Sequence, residues 1–350
     1  MRSEEVPTRR STQDEAVAPA LRITAEGFDD LAEDWGALHA RIPGATPFTH
    51  PAWHRVWLRH FGETCSPVFL SFRLDDELVG VAALDPAFGT ARQLGDHNVC
   101  DYAGVLALPG HEETVALGLL EWLMEDLTPA LELWGVPEDA PVRAGFRVVA
   151  PLVGWGYVET PEAVCPGVDL PGDFESFIAA LPKHDRHELR RKLRNLEAAG
   201  RVTFEEATTA GAIVPEVDGL LEMMRASRDA KAAFLTPTME AFFRDLGGTF
   251  GELGMARLAT LKLDGRAVAR TFSFENATTD FLYNCGFDPE LTHLAVGLAS
   301  KAYAIESAIR RGQSRFDFLR GDEEYKRRLG GVPLQVYTLT LRQGSAGVVP

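Results

Sequence analysis

Cysteine is scarce in this chain. Its 350 residues contain four, Cys65, Cys100, Cys165 and Cys285, each far from the next. No pair has the close spacing of zinc ligands, so the sequence offers no structural metal site. The thiols read instead as free and buried, in a reducing compartment. Basic residues are short too: 35 Lys and Arg stand against 51 Asp and Glu, a formal net charge of −16. So acidic a surface repels nucleic acid and anionic membrane and argues against a protein that coats either, although a local basic groove is still allowed. Long apolar runs are missing, and none reaches the length of a bilayer span. The N-terminal stretch MRSEEVPTRRSTQDEAVAPA has no apolar segment. It does not read as a signal peptide, and residues 1–19 are expected to be a disordered tail. The expectation is a soluble, cytoplasmic protein with no DNA partner, no membrane span and no metal.

What is present is a globular composition, 45% hydrophobic, on a chain longer than one core usually serves. Two domains are expected. Phe28, Leu31, Trp35 and Leu38 recur at helical spacing, and a second helix covers 50–62 with Pro51 in its first turn. Residues 67–74 and 78–85 are β-rich runs around an acidic turn, which predicts a hairpin. Strand-like residues 91–108 enclose a polar loop, 111–127 form a helix, 131–136 a strand, and 141–170 further strand-like pieces cut by Pro and Gly. Helices are then expected over 173–182, with Asp173 as cap, and over 183–200, 212–230 and 236–248. Strands follow at 254–263, 266–275 and 279–286, then a small-residue-rich helix over 294–312 and strands at 315–319 and 333–341.

The order of elements repeats. Each half opens with helices, then has a hairpin, another strand, a long helix and a short strand. The hairpins FLSFRLDDELVGVAAL and LATLKLDGRAVARTFS share a Leu-Asp turn and a Val-small pair. Duplication explains both observations, with lobes at 20–160 and 161–345.

This order resembles the GNAT acyltransferase fold. The stretch YNCGFDPELTHLAVGLASKAYAIESAIRRGQSRFDFLRGDEEYKRRLG (283–330) is similar to the two-lobed acetyltransferases of cellulose-type polysaccharide biosynthesis, relatives of the Fem-type peptidoglycan transferases. The likeness rests on Gly286, Phe287 and Asp288, on the small-residue helix, and on the box from Asp317 to Lys326. It implies an α/β (α+β) protein of two tandem GNAT-like lobes, each a mixed, largely antiparallel sheet flanked by helices. The activity implied is acyl transfer, with acetyl-CoA or another acyl-CoA as co-substrate. The acceptor implied is a small molecule or glycan precursor, an amine or hydroxyl on a sugar or cell-envelope precursor. A Fem-like transferase using aminoacyl-tRNA and a non-catalytic binding protein are the alternatives. One departure is the replacement of the family's Ser-Pro-Gly by Ala295-Val296-Gly297.

Acyl transfer from a thioester needs a base for the acceptor's proton, donors for the oxyanion and a positive pocket for pyrophosphate. Leu294, Ala295, Val296 and Gly297, at a strand-to-helix turn, are the expected pyrophosphate cradle; the alternative is a plain packing turn. In the box, Asp317 lies mid-strand and is expected to be structural, holding Arg320 together with Asp322. Asp322, Tyr325 and Lys326 are expected in the site, as base, proton donor and anion contact. In the first half, GDHNVCDYAG offers Asp101, Tyr102 and His97 as a cleft wall; His97 is either a base or a satisfied loop histidine. Residues 183–194 carry six basic side chains against two acidic ones. Of these, Arg186, Arg190 and Arg194 share a face, which is either solvated or an anion contact. The turn Leu108–His111, followed by Glu112 and Glu113, is hostile to phosphate, so the first lobe is expected to have lost its own donor site.

Overall fold

The protein is described by a computed structural model over residues 20–227 and 233–344; the expected N-terminal tail lies outside those residues. Its framework is one sheet. The first half supplies β1 (Leu21–Glu26), β2 (Val68–Leu74), β3 (Glu77–Ala87), β4 (Thr90–Gln93), β5 (Leu106–Ala107), β6 (Ala130–Pro137) and β7 (Trp155–Asp169). The second supplies β8 (Val202–Ala207), β9 (Ala256–Leu263), β10 (Arg266–Glu275), β11 (Thr279–Phe287), β12 (Arg315–Asp317) and β13 (Val332–Gln343). The strands lie in the order β1-β2-β3-β4-β6-β13-β7-β12-β11-β10-β9-β8, with β5 on β3. The helices are α1 (Phe28–Arg41), α2 (Pro51–Phe61), α3 (Glu112–Glu125), α4 (Pro141–Leu152), α5 (Phe174–Ala180), α6 (Lys183–Ala199), α7 (Ala210–Ser227), α8 (Pro237–Glu252), α9 (Val296–Arg310) and α10 (Glu324–Arg328).

Local chemistry sets many of these boundaries. Asp173 accepts the Ser176 amide at 2.8 Å and starts α5. Thr236 caps α8, whose first residue is Pro237. Both hairpin turns put two residues at positive φ, Asp75-Asp76 and Asp264-Gly265. Their backbone matches the strands' twist, so the two hairpins correspond in conformation as well as sequence. One expectation needs correction, and two strands were not foreseen. Residues 141–152 are helix, with Val142, Phe146, Val149 and Ala150 buried along one stripe behind Pro141. Their β-branched and Pro/Gly content hid a period of 3.6. The edge strands β1 and β8 carry too little apolar alternation to stand out in LRITAE and VTFEEA.

The halves are joined by exchanged strands. β7, the last strand of the first half, pairs with β12 of the second, and β13, the last strand of the second half, pairs with β6 of the first. β7 and β13 pair with each other along most of their length, from Val332↔Gly167 to Gln343↔Trp155. The expected lobe boundary at 160/161 therefore falls inside a continuous strand. The main core is shared as well. Trp53 of α2 lies edge-on to Phe242 and Phe250 of α8, Phe274 of β10 and Tyr283 of β11, with ring centroids 5.6–6.1 Å apart. Among the described residues no helix is long and apolar enough to cross a membrane.

Candidate active site

The parallel strands β11 and β12 pair only at Thr279↔Arg315, Asp280↔Phe316 and Phe281↔Asp317. Beyond that they part. β11 runs on to Phe287 along β10, with Tyr283 as an extra residue at a bulge, and its other edge is left open. β12 turns away through Phe318 and Leu319. The wedge between them is an open cavity of about 410 Å³. Leu282 to Cys285 form one wall, Phe318 to Arg320 with Tyr325 and Lys326 the other, and Ala295 to Leu298 with Lys301 the end. Asp101 and Lys192 reach in from elsewhere.

The second wall is held by a buried lysine. Leu319 has φ +57 and Gly321 φ +119; a left-handed leucine costs roughly 1–2 kcal/mol. Lys326, 2% exposed, donates to the carbonyl oxygens of Leu319, Arg320 and Gly321 at 2.9, 2.7 and 3.2 Å and lies 3.0 Å from Glu323. Charge-assisted bonds contribute more than that strain costs. Lys326 thus shapes the loop, and its donors are committed there rather than to an anion. Asp317, 3% exposed, accepts the Leu319 amide at 2.7 Å and the Tyr102 hydroxyl at 2.8 Å.

Residues 94–105 carry the first half into this cleft. Tyr102 is bound to Asp317, the Tyr283 hydroxyl donates to the Val99 carbonyl at 3.0 Å, and the Ala103 amide donates to the Gly135 carbonyl at 2.9 Å. Between these anchors Asp101 faces the cavity, 3.4 Å from Arg320 Nε. Arg320 is fixed from behind by Glu162 at 2.8 Å, and Glu162 also accepts from the Gly135 amide and the Thr338 hydroxyl. Burial pushes the Asp101 carboxyl up to about 6, against the pull of Arg320 and Lys326. Burial likewise raises Asp317 to about 6 and the Tyr102 phenol well above its usual range.

α9 begins at the wide end of the wedge, after β11 has run on to Phe287. Ala295 sits at φ +55 as its N-cap, and the Leu298 and Ala299 amides already bond the Ala295 carbonyl. The amides of Val296 and Gly297 have no acceptor within the helix, by helix geometry. A Cβ at Gly297 would lie 2.9 Å from the Phe287 ring, so glycine is required there. Lys301 donates to the Gly297 carbonyl at 2.7 Å and sits 4.7 Å over the Tyr325 ring, placing positive charge beside the helix start.

The candidates from the sequence thus divide. Asp101, Ala295, Val296, Gly297, Tyr325 and Lys326 meet in one cavity; Leu294 lies behind it on the core of the second half. Tyr102 is next to it but spends its hydroxyl on Asp317. His97 is exposed, edge-on to Trp134 at 6.2 Å, and outside the wall. Asp322 is outside it too, 58% exposed, its two oxygens held by Arg327, which keeps the carboxyl below its usual range. Arg320 pairs with Glu162 and Asp101, not with Asp317 and Asp322 as the sequence suggested. Arg186 donates to the Ala179 carbonyl and Arg190 to Glu175, bracing α6 on α5 away from the cavity; Lys192 is the α6 residue that reaches it. Sequence reasoning counted Lys192 among the basic residues of 183–194 without singling it out, and missed Cys285 and Lys301. Lys301 left a signal, a charge one turn into α9 among residues that are otherwise small or apolar until Glu306, Tyr303 excepted. Among the described residues no group of His, Cys, Asp and Glu could hold a metal ion.

A helix N-terminus at a wedge between two parting parallel strands, in a mixed sheet with helices on its faces, is a fold of GNAT type. Residues 183–327 match the family described as acetyltransferase (GNAT) domain. No curated protein matches the chain. Among solved structures, FemX is 11% identical with a TM-score of 0.64, covering 91% of this chain and 96% of that one. A conserved protein of unknown function from Bacteroides thetaiotaomicron is 13% identical with a TM-score of 0.63, covering 93% and 100%. The C-terminal domain of a putative lysylphosphatidylglycerol synthetase from Agrobacterium fabrum is 10% identical with a TM-score of 0.57, covering 93% and 100%. At these identities the likeness is one of fold.

Proposed function

We propose that the protein is an acyl-CoA-dependent acyltransferase acting on an amine or hydroxyl. The observation that carries this reading is the wedge itself: an open strand edge that leads to a helix N-terminus, with an ionisable carboxylate at its side. An extended donor bearing amides can pair with the free edge of β11 as an added strand would. Its pyrophosphate meets the Val296 and Gly297 amides, with Lys301 and Lys192 adding charge. Asp101 takes the acceptor's proton as nitrogen or oxygen attacks the thioester carbonyl. The tetrahedral intermediate then collapses, the carbon–sulfur bond breaks, and Tyr325 returns a proton to the departing thiolate. The acceptor class, a sugar or cell-envelope precursor, follows from the resemblance of residues 283–330, and acetyl is the acyl group it implies.

The test is calorimetric titration with acetyl-CoA. Wild type should bind, and Gly297→Asp, which sets bulk and negative charge against the pyrophosphate, should not. Equal binding in both would remove the donor site from this cavity. A screen of amino sugars read by thiol release then identifies the acceptor.

A second reading, transfer from aminoacyl-tRNA, draws on the exposed basic residues of α6, Lys183, Arg191 and Arg194. It requires tRNA affinity that falls steeply with salt; acetyl-CoA turnover without such affinity disposes of it.

A further inference from the structure

Two irregularities of the sheet meet at one level of β13. Between β13 and β7 the register passes from Val336↔Ala163 to Tyr337↔Pro161, so Glu162 is an extra residue with no partner across the pair. Between β13 and β6 it passes from Tyr337↔Val136 to Leu339↔Leu133, so Trp134 and Gly135 stand opposite Thr338 alone. Each is a β-bulge, a device that re-aims side chains beside functional sites. Glycine is required at 135: its φ is +68, and a Cβ there would lie 3.0 Å from the Ala103 nitrogen.

The bulges bring their groups together behind Arg320. One Glu162 oxygen accepts from the Gly135 amide at 2.9 Å and the Thr338 hydroxyl at 3.0 Å, and the other accepts from Arg320 Nη1 at 2.8 Å. The Gly135 carbonyl accepts from Ala103, two residues beyond Asp101. Gly135 therefore fixes both the loop that carries Asp101 and the carboxylate that holds Arg320.

Arg320 lies between two carboxylates and is hydrogen-bonded to one. Its Nε, 3.4 Å from Asp101, and its Nη2 are buried and have no hydrogen-bond partner among the described residues. A guanidinium commonly grips a carboxylate through two parallel N–H bonds, and idle buried donors carry a cost. An Arg320 free to swing would satisfy both nitrogens on Asp101. A carboxylate gripped in that way is held ionised and accepts protons poorly.

We propose that Glu162 is a positioning residue for Asp101: it holds Arg320 back from a two-bond pair, so that the Asp101 carboxylate keeps its capacity to take a proton. The kinetic meaning rests on Asp101 being the base of the proposed acyl transfer; the positioning itself does not. The other titratable groups around Asp101 are Lys326 of α10, Asp317 of β12, Cys165 of β7, Tyr283 of β11 and Cys100 beside it in the chain. Lys326 and Asp317 are committed to the backbone of the Leu319 loop, and all five are the same in every variant below.

The experiment follows the Asp101 carboxyl by NMR in the full chain with carbon-13 in its aspartate carboxyl groups, the signal assigned by its loss in Asp101→Asn. In wild type it should titrate near about 6. Glu162→Gln keeps the side chain's shape. Its amide oxygen still serves Gly135 and Thr338, which turns its NH2 group toward Arg320 and drives the guanidinium onto Asp101. Asp101 should then titrate about one pH unit or more lower. In Arg320→Met it should titrate about one pH unit or more higher, since the opposite charge is gone. The double variant should match Arg320→Met, because Glu162 acts through Arg320. In turnover the inflection of the pH profile should move down in Glu162→Gln and the plateau rate should fall, with acetyl-CoA affinity unchanged. An Asp101 titration that stayed put or rose in Glu162→Gln would overturn the proposal, and so would a fall that persisted in full without Arg320. Should Glu162→Gln fail to melt cooperatively, Arg320→Met decides: an unmoved Asp101 there means that Arg320 does not govern it. Failure of wild type to bind acetyl-CoA would sink the acyltransferase reading and leave the Asp101 titration to decide this one.

Discussion

Two aspartates show how far environment outweighs residue type. Asp322 lies within the box that first draws the eye, yet it is exposed and neutralised by Arg327; Asp101 lies more than two hundred residues earlier and is the carboxylate in the cleft. Asp101→Asn should therefore lower turnover by roughly 10²-fold or more, the range of a lost general base, while Asp322→Asn keeps nearly full rate; the opposite result would return the chemistry to the box. A base works in its ionised form, so the rate should rise with pH through about 6 and then level off, and a rate that stayed flat from pH 5 to 8 would speak against Asp101. Asp317→Asn tests structure instead. Asn offers one oxygen where Asp317 accepts from both Tyr102 and Leu319, so a buried donor is stranded at a cost of about 1–3 kcal/mol. The carboxyl is raised to about 6 in the folded chain and is near 4 when unfolded. The folded state thus holds the proton longer, and the stability Asp317 contributes falls as pH rises through that window. Urea melts should show the variant's deficit larger at pH 5 than at pH 8.

At the scale of elements, the site depends on a short helix and a loop that cannot stand alone. α10 has five residues, too few for an isolated helix. Lys326 fastens it to the loop that carries Leu319 and Arg320. Lys326→Met keeps the length and apolar stem but leaves three carbonyl groups and the Glu323 carboxylate without their cation. We expect a loss of about 2–4 kcal/mol, seen as a lower denaturation midpoint at unchanged m-value; stability within experimental error of wild type would mean the loop is held by other contacts. Arg327→Ala, which removes an exposed pair, should move the midpoint little.

For the whole molecule, strand exchange makes the halves interdependent. β6 and β7 pair with β13 rather than with each other, so a fragment of residues 20–170 has a gap in its sheet where twelve residues of β13 belong. Trp53 would also lose Phe242, Phe250, Phe274 and Tyr283. The fragment should aggregate or remain unfolded, and the full chain should unfold in one calorimetric transition rather than two. Two separate transitions would mean that the halves fold as independent bodies despite the shared sheet.

Sequence by itself determined the elements and their repetition. Helical periodicity, capping residues and paired Asp-rich turns are local signals, and they located most helices, both hairpins and the long helix α9. They placed Ala295 to Gly297 at a helix start, and the polar stretch with Asp101 and Tyr102 between apolar runs. They misread 141–152, where β-branched residues masked a helix. The roles of single polar groups were decided only by tertiary structure. Burial and partners depend on chain segments remote in sequence: Tyr102 on Asp317, Arg320 on Glu162, Lys192 on the wall of a cavity built by another element. The exchange of β7 and β13 was equally out of reach. A strand's sequence records its period and its apolar face, whereas the backbone hydrogen bonds that choose its neighbour are the same for every residue.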